Sequence, residues 1–231
     1  MPGDPPQVTV SGSDSGGPLS IDFGIWDFTW RSIVLAIGMS FLIPIPWALV
    51  WYLKWLVPCV KVPQRPNLGF MGSAMPVALG VFGVIVLMIV TVATGFDWLN
   101  FSIFPAMIVL NWLFLKWLVA GISSDGQPLG LRFSGSFWAS LGWVLLANIA
   151  SITIIGVAWV YAAWTRWFCR NIAGARREVI FNGTGLEFLW RGVVSVIAAS
   201  FVIPIPWVYR WMSGWMASQT VLVERGPQPG T

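Results

Sequence analysis

The chain has 231 residues, of which 57% are hydrophobic and only 10% charged, with 13 basic and nine acidic side chains and a net charge of +4. An average soluble domain carries roughly 25% charged residues, so the composition excludes a water-soluble fold and points to an integral membrane protein. With no histidine in the chain, imidazole-ligated haem, bacteriochlorophyll or zinc and any Ser-His or Cys-His catalytic pair are excluded, no cofactor is expected, and the small net charge argues against nucleic acid.

Residues 1–20, MPGDPPQVTVSGSDSGGPLS, are polar, rich in Gly, Pro and Ser, and lack Lys and Arg. They read as a disordered N-terminal tail rather than a signal peptide, which needs a basic segment ahead of its apolar run. Residues 226–231, GPQPGT, read as a flexible C-terminal tail. Residues 21–225 between them read as a single membrane domain of repeats at about 21–65, 66–125, 126–175 and 176–225.

The repeats are legible as internal similarity. Residues 27–55, DFTWRSIVLAIGMSFLIPIPWALVWYLKW, align with 187–215, EFLWRGVVSVIAASFVIPIPWVYRWMSGW, at a constant offset of 160. Phe28, Trp30, Arg31, Ser40, Phe41, Pro44, Pro46, Trp47, Trp51 and Trp55 all recur at that offset. Residues 151–167 are a weaker copy in which Gly156 replaces the first proline, Trp159 matches Trp47, Arg166 matches Lys54 and Trp167 matches Trp55. The most divergent copy, about 67–119, ends in Lys116-Trp117.

A polar motif precedes three copies: Phe70-Met71-Gly72-Ser73, Phe133-Ser134-Gly135-Ser136 and Phe181-Asn182-Gly183-Thr184. Alternating apolar residues ahead of it predict a short strand. The glycine then permits a turn with positive φ, and the hydroxyl caps the following helix; Thr184 with Glu187 fits a capping box. The predicted unit is strand, turn, capped apolar helix, break, Trp-rich helix.

The breaks fall at Pro44, Pro46, Gly156, Pro204 and Pro206. Proline disfavours α geometry in the residue before it, which pushes Ile43 and Ile45 toward extended backbone. Two arrangements satisfy such a break: a hairpin with both helices in the bilayer, or one span followed by an interfacial Trp-rich helix. The hairpin is favoured. Residues 74–95 and 98–119 form two apolar runs near the ~20 residues a span needs. Lys61, Arg65, Arg132, Arg170, Arg176, Arg177 and Arg225 fall between hairpins or after the last, so the positive-inside rule places strands and both termini in the cytoplasm. Arg210, four residues past Pro206, stands against this arrangement.

Candidate site residues follow from the repeat. Arg31 and Arg191 lie one turn into equivalent helices, and Lys54, Lys116 and Arg166 occupy one equivalent place in the second helix. The plain reading is snorkelling to the headgroup region; the functional reading is a basic ring binding lipid headgroups or an anion. Asp27 and Glu187 stand four residues before the arginines, the spacing of a helical ion pair. Trp47, Trp51 and Trp55, Trp207, Trp211 and Trp215, with Trp159 and Trp167, read as an aromatic packing stripe along one helix face. The glycine turns offer helix N-termini to a phosphate, but without a following lysine this signal is weak. Cys59 and Cys169 make no disulfide framework and read as buried or interfacial thiols, with palmitoylation the sharper alternative. No residue set suggests a metal site.

This unit, carried best by residues 131–191 with Thr153, Gly156 and Trp159 matching a Thr-x-Gly-x-x-x-Trp run, resembles the YjgN-like family of bacterial inner-membrane proteins. The PIPW elements and the high Trp content depart from the family pattern. The resemblance implies a multi-pass membrane fold and supplies no catalytic residue.

The expected fold is therefore an all-α polytopic membrane protein of about four tandem helical hairpins, up to eight membrane segments, joined by short cytoplasmic strands that make a small common sheet. The expected function is non-enzymatic: a scaffold or accessory subunit of the bacterial inner membrane, packing on lipids or a larger membrane complex through its Trp-rich faces. A small transporter or channel with a path between the repeats is the competing class.

Overall fold

The structure is a computed structural model that describes residues 17–63, 67–174, 177–201 and 204–224. Most of the two expected tails, and Arg65, Arg176 and Arg225, lie outside the described residues. The order of elements is β1 (Ser20–Ile21), α1 (Ile25–Ser40), α2 (Ile45–Cys59), β2 (Val60–Lys61), β3 (Leu68–Phe70), α3 (Met75–Thr94), α4 (Asp97–Ala120), β4 (Ile122–Ser124), β5 (Gln127–Pro128), β6 (Arg132–Phe133), α5 (Phe137–Ala150), α6 (Ile154–Arg170), β7 (Ile172–Ala173), β8 (Arg177–Phe181), α7 (Gly185–Ala199), α8 (Ile205–Ser218) and β9 (Thr220–Glu224).

The strands determine how the helices run. β1 pairs antiparallel with β2, β3 with β4, β6 with β7 and β8 with β9. In each case the strand before a helix pair is bonded to the strand after it. Both ends of every pair therefore lie at one base, and the two helices fold back on each other. The strands do not merge into the common sheet expected from the sequence: each hairpin is closed by its own ladder, and β5 merely extends one of them. A segment of two or three residues satisfies its amides with the nearest partner, which is the strand its own hairpin brings back. The expected tail also ends early, since Pro18 bridges to Val221 and Leu19 N–H donates to the Thr220 carbonyl.

Consecutive helices pack in order around the molecule, and α8 returns to α1, so the four hairpins form a closed ring. The core sits at the base. Phe23, Phe70, Phe133 and Phe181, one from each hairpin, are all buried. Each meets a tryptophan from the end of its own second helix in an offset or edge-on geometry: Trp55 at 6.1 Å, Trp117 at 5.1 Å, Trp167 at 5.5 Å and Trp215 at 6.2 Å between ring centroids. These contacts correct the role expected for the motif glycines. Among the described residues the positive-φ glycines are Gly95, Gly126, Gly130 and Gly174, not Gly72, Gly135 or Gly183. A Cβ at those three would be driven into the ring of the preceding phenylalanine and against Cζ2 of Trp117, Trp167 or Trp215. Glycine is required by close approach to the aromatic pair. Two of the three hydroxyls behave as expected: Ser136 caps α5, and Thr184 and Glu187 form the capping box of α7, whereas α3 opens at Ala74 without a side-chain cap and Ser73 Oγ accepts from Met75 N–H at 3.3 Å.

At the opposite end the chain turns with its own polar groups engaged. Ser40 Oγ donates to the Ala36 carbonyl, Ser200 Oγ to Val196, Ser151 Oγ to Asn148 and Thr153 Oγ1 to Ala150. Pro44 and Pro46 remove two amide donors from the first tip, and Pro204 and Pro206 do the same at the last. The breaks differ in detail from expectation. Extended backbone falls at Phe41, while Ile45, expected to be extended, opens α2. Gly156 lies inside α6, where its N–H reaches the Thr153 Oγ1 cap; the break is at Ser151–Thr153.

α3 and α4, of 20 and 24 residues, contain the two described stretches long and apolar enough to cross a membrane, Met75–Thr94 and Phe101–Ala120. The other six helices have 14 to 17 residues, a rise of roughly 21–26 Å against about 30 Å of hydrocarbon.

Candidate functional site

The two equivalent arginines lie at matching places. α1 and α7 bury the same side, and the seventh residue of each, Arg31 or Arg191, lies half-buried on it. The guanidinium of Arg31 lies 4.5 Å from the Trp30 ring, 5.4 Å from Trp51 and 5.2 Å from Trp55. Arg191 lies 4.5 Å from Trp190, 4.6 Å from Trp211 and 4.8 Å from Trp215. Each arginine is thus enclosed by three indoles, one from its own helix and two from the helix it packs on, and every ring presents its electron-rich face or flank to the cation.

The carboxylates expected to pair with these arginines are engaged elsewhere. Asp27 accepts from Trp30 Nε1 at 3.3 Å, and Glu187 accepts from Thr184 N–H at 2.9 Å and from its hydroxyl at 3.0 Å. In α7 the capping box outcompetes the i,i+4 pair, and in α1, which has no side-chain cap, the Trp30 indole holds the carboxylate instead. Among the described residues neither guanidinium donates to a protein acceptor, and Nε of both is buried without a partner. A guanidinium offers five donors in a planar fork suited to phosphate or carboxylate.

The remaining basic residues divide by role and do not form one ring of free cations. Arg166 Nη2 donates to the Gly183 carbonyl at 2.8 Å, tying the third hairpin to the first turn of the fourth. Lys116 Nζ sits 3.7 Å from the Trp112 ring, and Trp112 Nε1 donates to the Gly135 carbonyl at 2.9 Å, joining the second hairpin to the third. Arg210 reaches Asp22 at 3.6 Å, joining the fourth to the first. This pair accounts for the misplaced charge in the sequence, since Asp22 follows β1 at the base. Lys54 is exposed.

The tryptophans of each stripe divide by depth. At 3.6 residues per turn, i and i+8 differ by roughly 80° around the helix, so Trp47, Trp51 and Trp55 spread across one side of α2 from its outer edge to its packed centre. Trp47 and Trp207 face outward, Trp51 and Trp211 flank the arginines, and Trp55 and Trp215 enter the base core. Trp159 is half-exposed and covers Gly185 of the next hairpin, whereas Trp167 packs on Phe133. Both cysteines are free thiols; Cys169 is buried, and Cys59 Sγ donates to the Trp55 carbonyl. Among the described residues no group of three or more His, Cys, Asp or Glu is arranged to hold a metal.

Two grooves adjoin these residues. One of about 560 Å³ lies along α8 beside the second arginine, lined by Arg191, Trp207, Arg210, Trp211, Gly214, Trp215 and Ser218. The other, about 1010 Å³, is apolar and lies among α2, α3, α4 and α5, with Lys116 and Trp117 at its base end and half-exposed Phe104 and Met107 farther along α4 toward the tip. Sequence reasoning did not select Arg210, Phe23 or Gly214. The signal for Gly214 was present: at the offset of 160 it occupies the place of Lys54.

No protein-family model matches the chain, and no curated protein or solved structure matches it. The functional reading therefore rests on the chain's own chemistry.

Proposed function

We propose that the chain is a non-enzymatic, multi-pass protein of the bacterial inner membrane, with four hairpins entering from the cytoplasmic side, and that it acts as a scaffold or accessory subunit packing on lipids or a larger membrane complex. One observation carries this reading: a band of exposed apolar side chains without charge. From Ser32 to Leu53, Met75 to Thr94, Phe137 to Thr165 and Gly192 to Tyr209 there is no Asp, Glu, Lys or Arg. Large apolar residues in these stretches stand open, Val92 being 83% and Val196 70% exposed. A monomeric soluble protein does not tolerate apolar surface on this scale.

The charged residues gather at the base, where Lys61, Arg132, Arg170 and Arg177 supply the positive side. The hairpins differ in reach. α3 and α4 cross the bilayer and expose the turn at Gly95 and Phe96 between them. The tips of the other three carry open apolar residues, among them Phe41, Leu42, Ile43, Ile152 and Phe201, and their internally bonded turns suit a place within the hydrocarbon, where no water satisfies the backbone. The outward indoles, Trp26, Trp47, Trp138, Trp159 and Trp207, are the packing faces for lipid or a partner. Kinship with the YjgN-like family belongs to the same proposal, rests on residues 131–191, and adds no reaction.

The test is to wash membranes expressing the chain with alkaline carbonate, then purify it in mild detergent. Retention in the washed pellet and a partner of fixed stoichiometry are expected. Release by carbonate would end the membrane reading, and a chain purified without any partner would end the subunit reading.

A further inference from the structure

We infer that the groove along α8 binds the phosphate of an anionic phospholipid headgroup from the cytoplasmic leaflet, with Arg191 and Arg210 as its two cationic walls. The inference rests on the membrane reading above and goes beyond it by selecting one site out of four related hairpins and naming its ligand.

The geometry begins with donors lacking acceptors. Arg191 is held by three indole faces, yet among the described residues no carbonyl or carboxylate accepts from it. Trp215, only 6% exposed, also lines the groove, and its Nε1 has no partner. The equivalent indole of the second hairpin, Trp117, donates to the Ser73 carbonyl at 2.9 Å. Buried donors without acceptors are costly, and here two lie beside the same open volume.

The second cation comes from the same helix face. Trp207, Arg210, Trp211, Gly214, Trp215 and Ser218 follow at spacings of three and four residues and form one side of α8. Arg210 points at Asp22 through one nitrogen at 3.6 Å, an exposed pairing that leaves its other donors available. Two guanidinium groups and one carboxylate leave the groove net positive.

The groove belongs to the fourth hairpin alone among the matched pair. In the first hairpin the corresponding face reads Trp47, Val50, Trp51, Lys54, Trp55 and Pro58. Val50 replaces the second arginine, and the lysine chain stands where Gly214 leaves space. A Cβ placed on Gly214 would meet nothing within 4 Å. The absence of a side chain there opens the volume. A lipid rather than a soluble anion is the ligand because the groove ends at outward Trp207, with exposed Ile205 two residues before it in the same helix, and these present apolar surface to acyl chains where the cations meet the headgroup. A phosphate oxygen pair matches the guanidinium fork with charge-assisted hydrogen bonds.

The experiment uses the full chain in mild detergent, with retained phosphatidylglycerol and phosphatidylcholine counted by native mass spectrometry. Selective retention of phosphatidylglycerol is expected, with affinity reduced about tenfold or more in Arg191→Gln, a loss on the scale of one charged hydrogen bond. Gly214→Leu, which fills the open volume and leaves both arginines in place, is expected to lose retention equally, whereas Arg31→Gln retains the lipid. Retention in Gly214→Leu, or an equal loss in Arg31→Gln, would overturn the site. Displacement of the lipid by inorganic phosphate alone at matched concentration would show a free-anion site and overturn the lipid assignment. Failure of any of these in a carbonate-resistant protein refutes this site and leaves the membrane reading standing.

Discussion

Arg166 donates from Nη2 to the carbonyl of Gly183 at 2.8 Å, so the last turns of the third hairpin hold the first turn of the fourth. Hydrogen bonds from a charged donor contribute about 1.5–3 kcal/mol. Arg166→Ala is therefore expected to lower unfolding free energy by about that amount, with Arg166→Lys recovering part of it. The Arg210–Asp22 pair makes an equivalent connection but is 44% and 77% exposed; Asp22→Asn should cost less than about 1 kcal/mol. Thermal or denaturant unfolding in detergent checks both, and equal losses would contradict the different weights assigned to these links.

A second prediction concerns the motif glycines. In Gly135→Ala the new methyl meets the Phe133 ring and Trp167 Cζ2, the latter at 2.9 Å, and overpacking of this kind costs about 1–3 kcal/mol. Gly142, inside α5, has open space around it, so Gly142→Ala should stabilise by about 0.5–1 kcal/mol through helix propensity. Opposite signs in the two variants, measured in one detergent, support the close-approach role.

Much of this fold could be read from the chain. Proline pairs, capping hydroxyls and the offset of 160 residues located the helices and the turns between them, because each is a local signal. The strand pairing could not be read, since segments as short as Ser20–Ile21 carry no periodicity. Phe23 escaped notice because its link to Phe28 is five residues, against seven from Phe181 to Phe188, which deletes the glycine motif. The site was half legible. Repetition selected Arg31 and Arg191, but spacing suggested carboxylate partners, whereas three indoles from packed helices surround each one. That outcome depends on tertiary geometry and on competition for the carboxylates, from the capping box in α7 and from the Trp30 indole in α1.

The third prediction separates the tips. Ile152 is 84% exposed at the turn of the third hairpin, and a lysine there would sit in hydrocarbon at a cost of about 2.5–3.5 kcal/mol on the scale for a helix centre. Phe96 lies in the turn of the longer second hairpin, where a lysine would be in water. Ile152→Lys should reduce the membrane-inserted, folded yield well below that of Phe96→Lys. Equal yields would contradict the difference in depth.

The most direct measurement of the central claim, that all four hairpins enter from one face, is thiol labelling with a membrane-impermeant maleimide in vesicles of known orientation. Single cysteines at Gln127, Phe96 and Ile152 would be introduced after Cys59→Ser and Cys169→Ala. The account predicts labelling of position 127 from the cytoplasmic side, of position 96 from the opposite side, and of position 152 from neither. Labelling of position 96 or 152 from the side that reaches position 127 would contradict it.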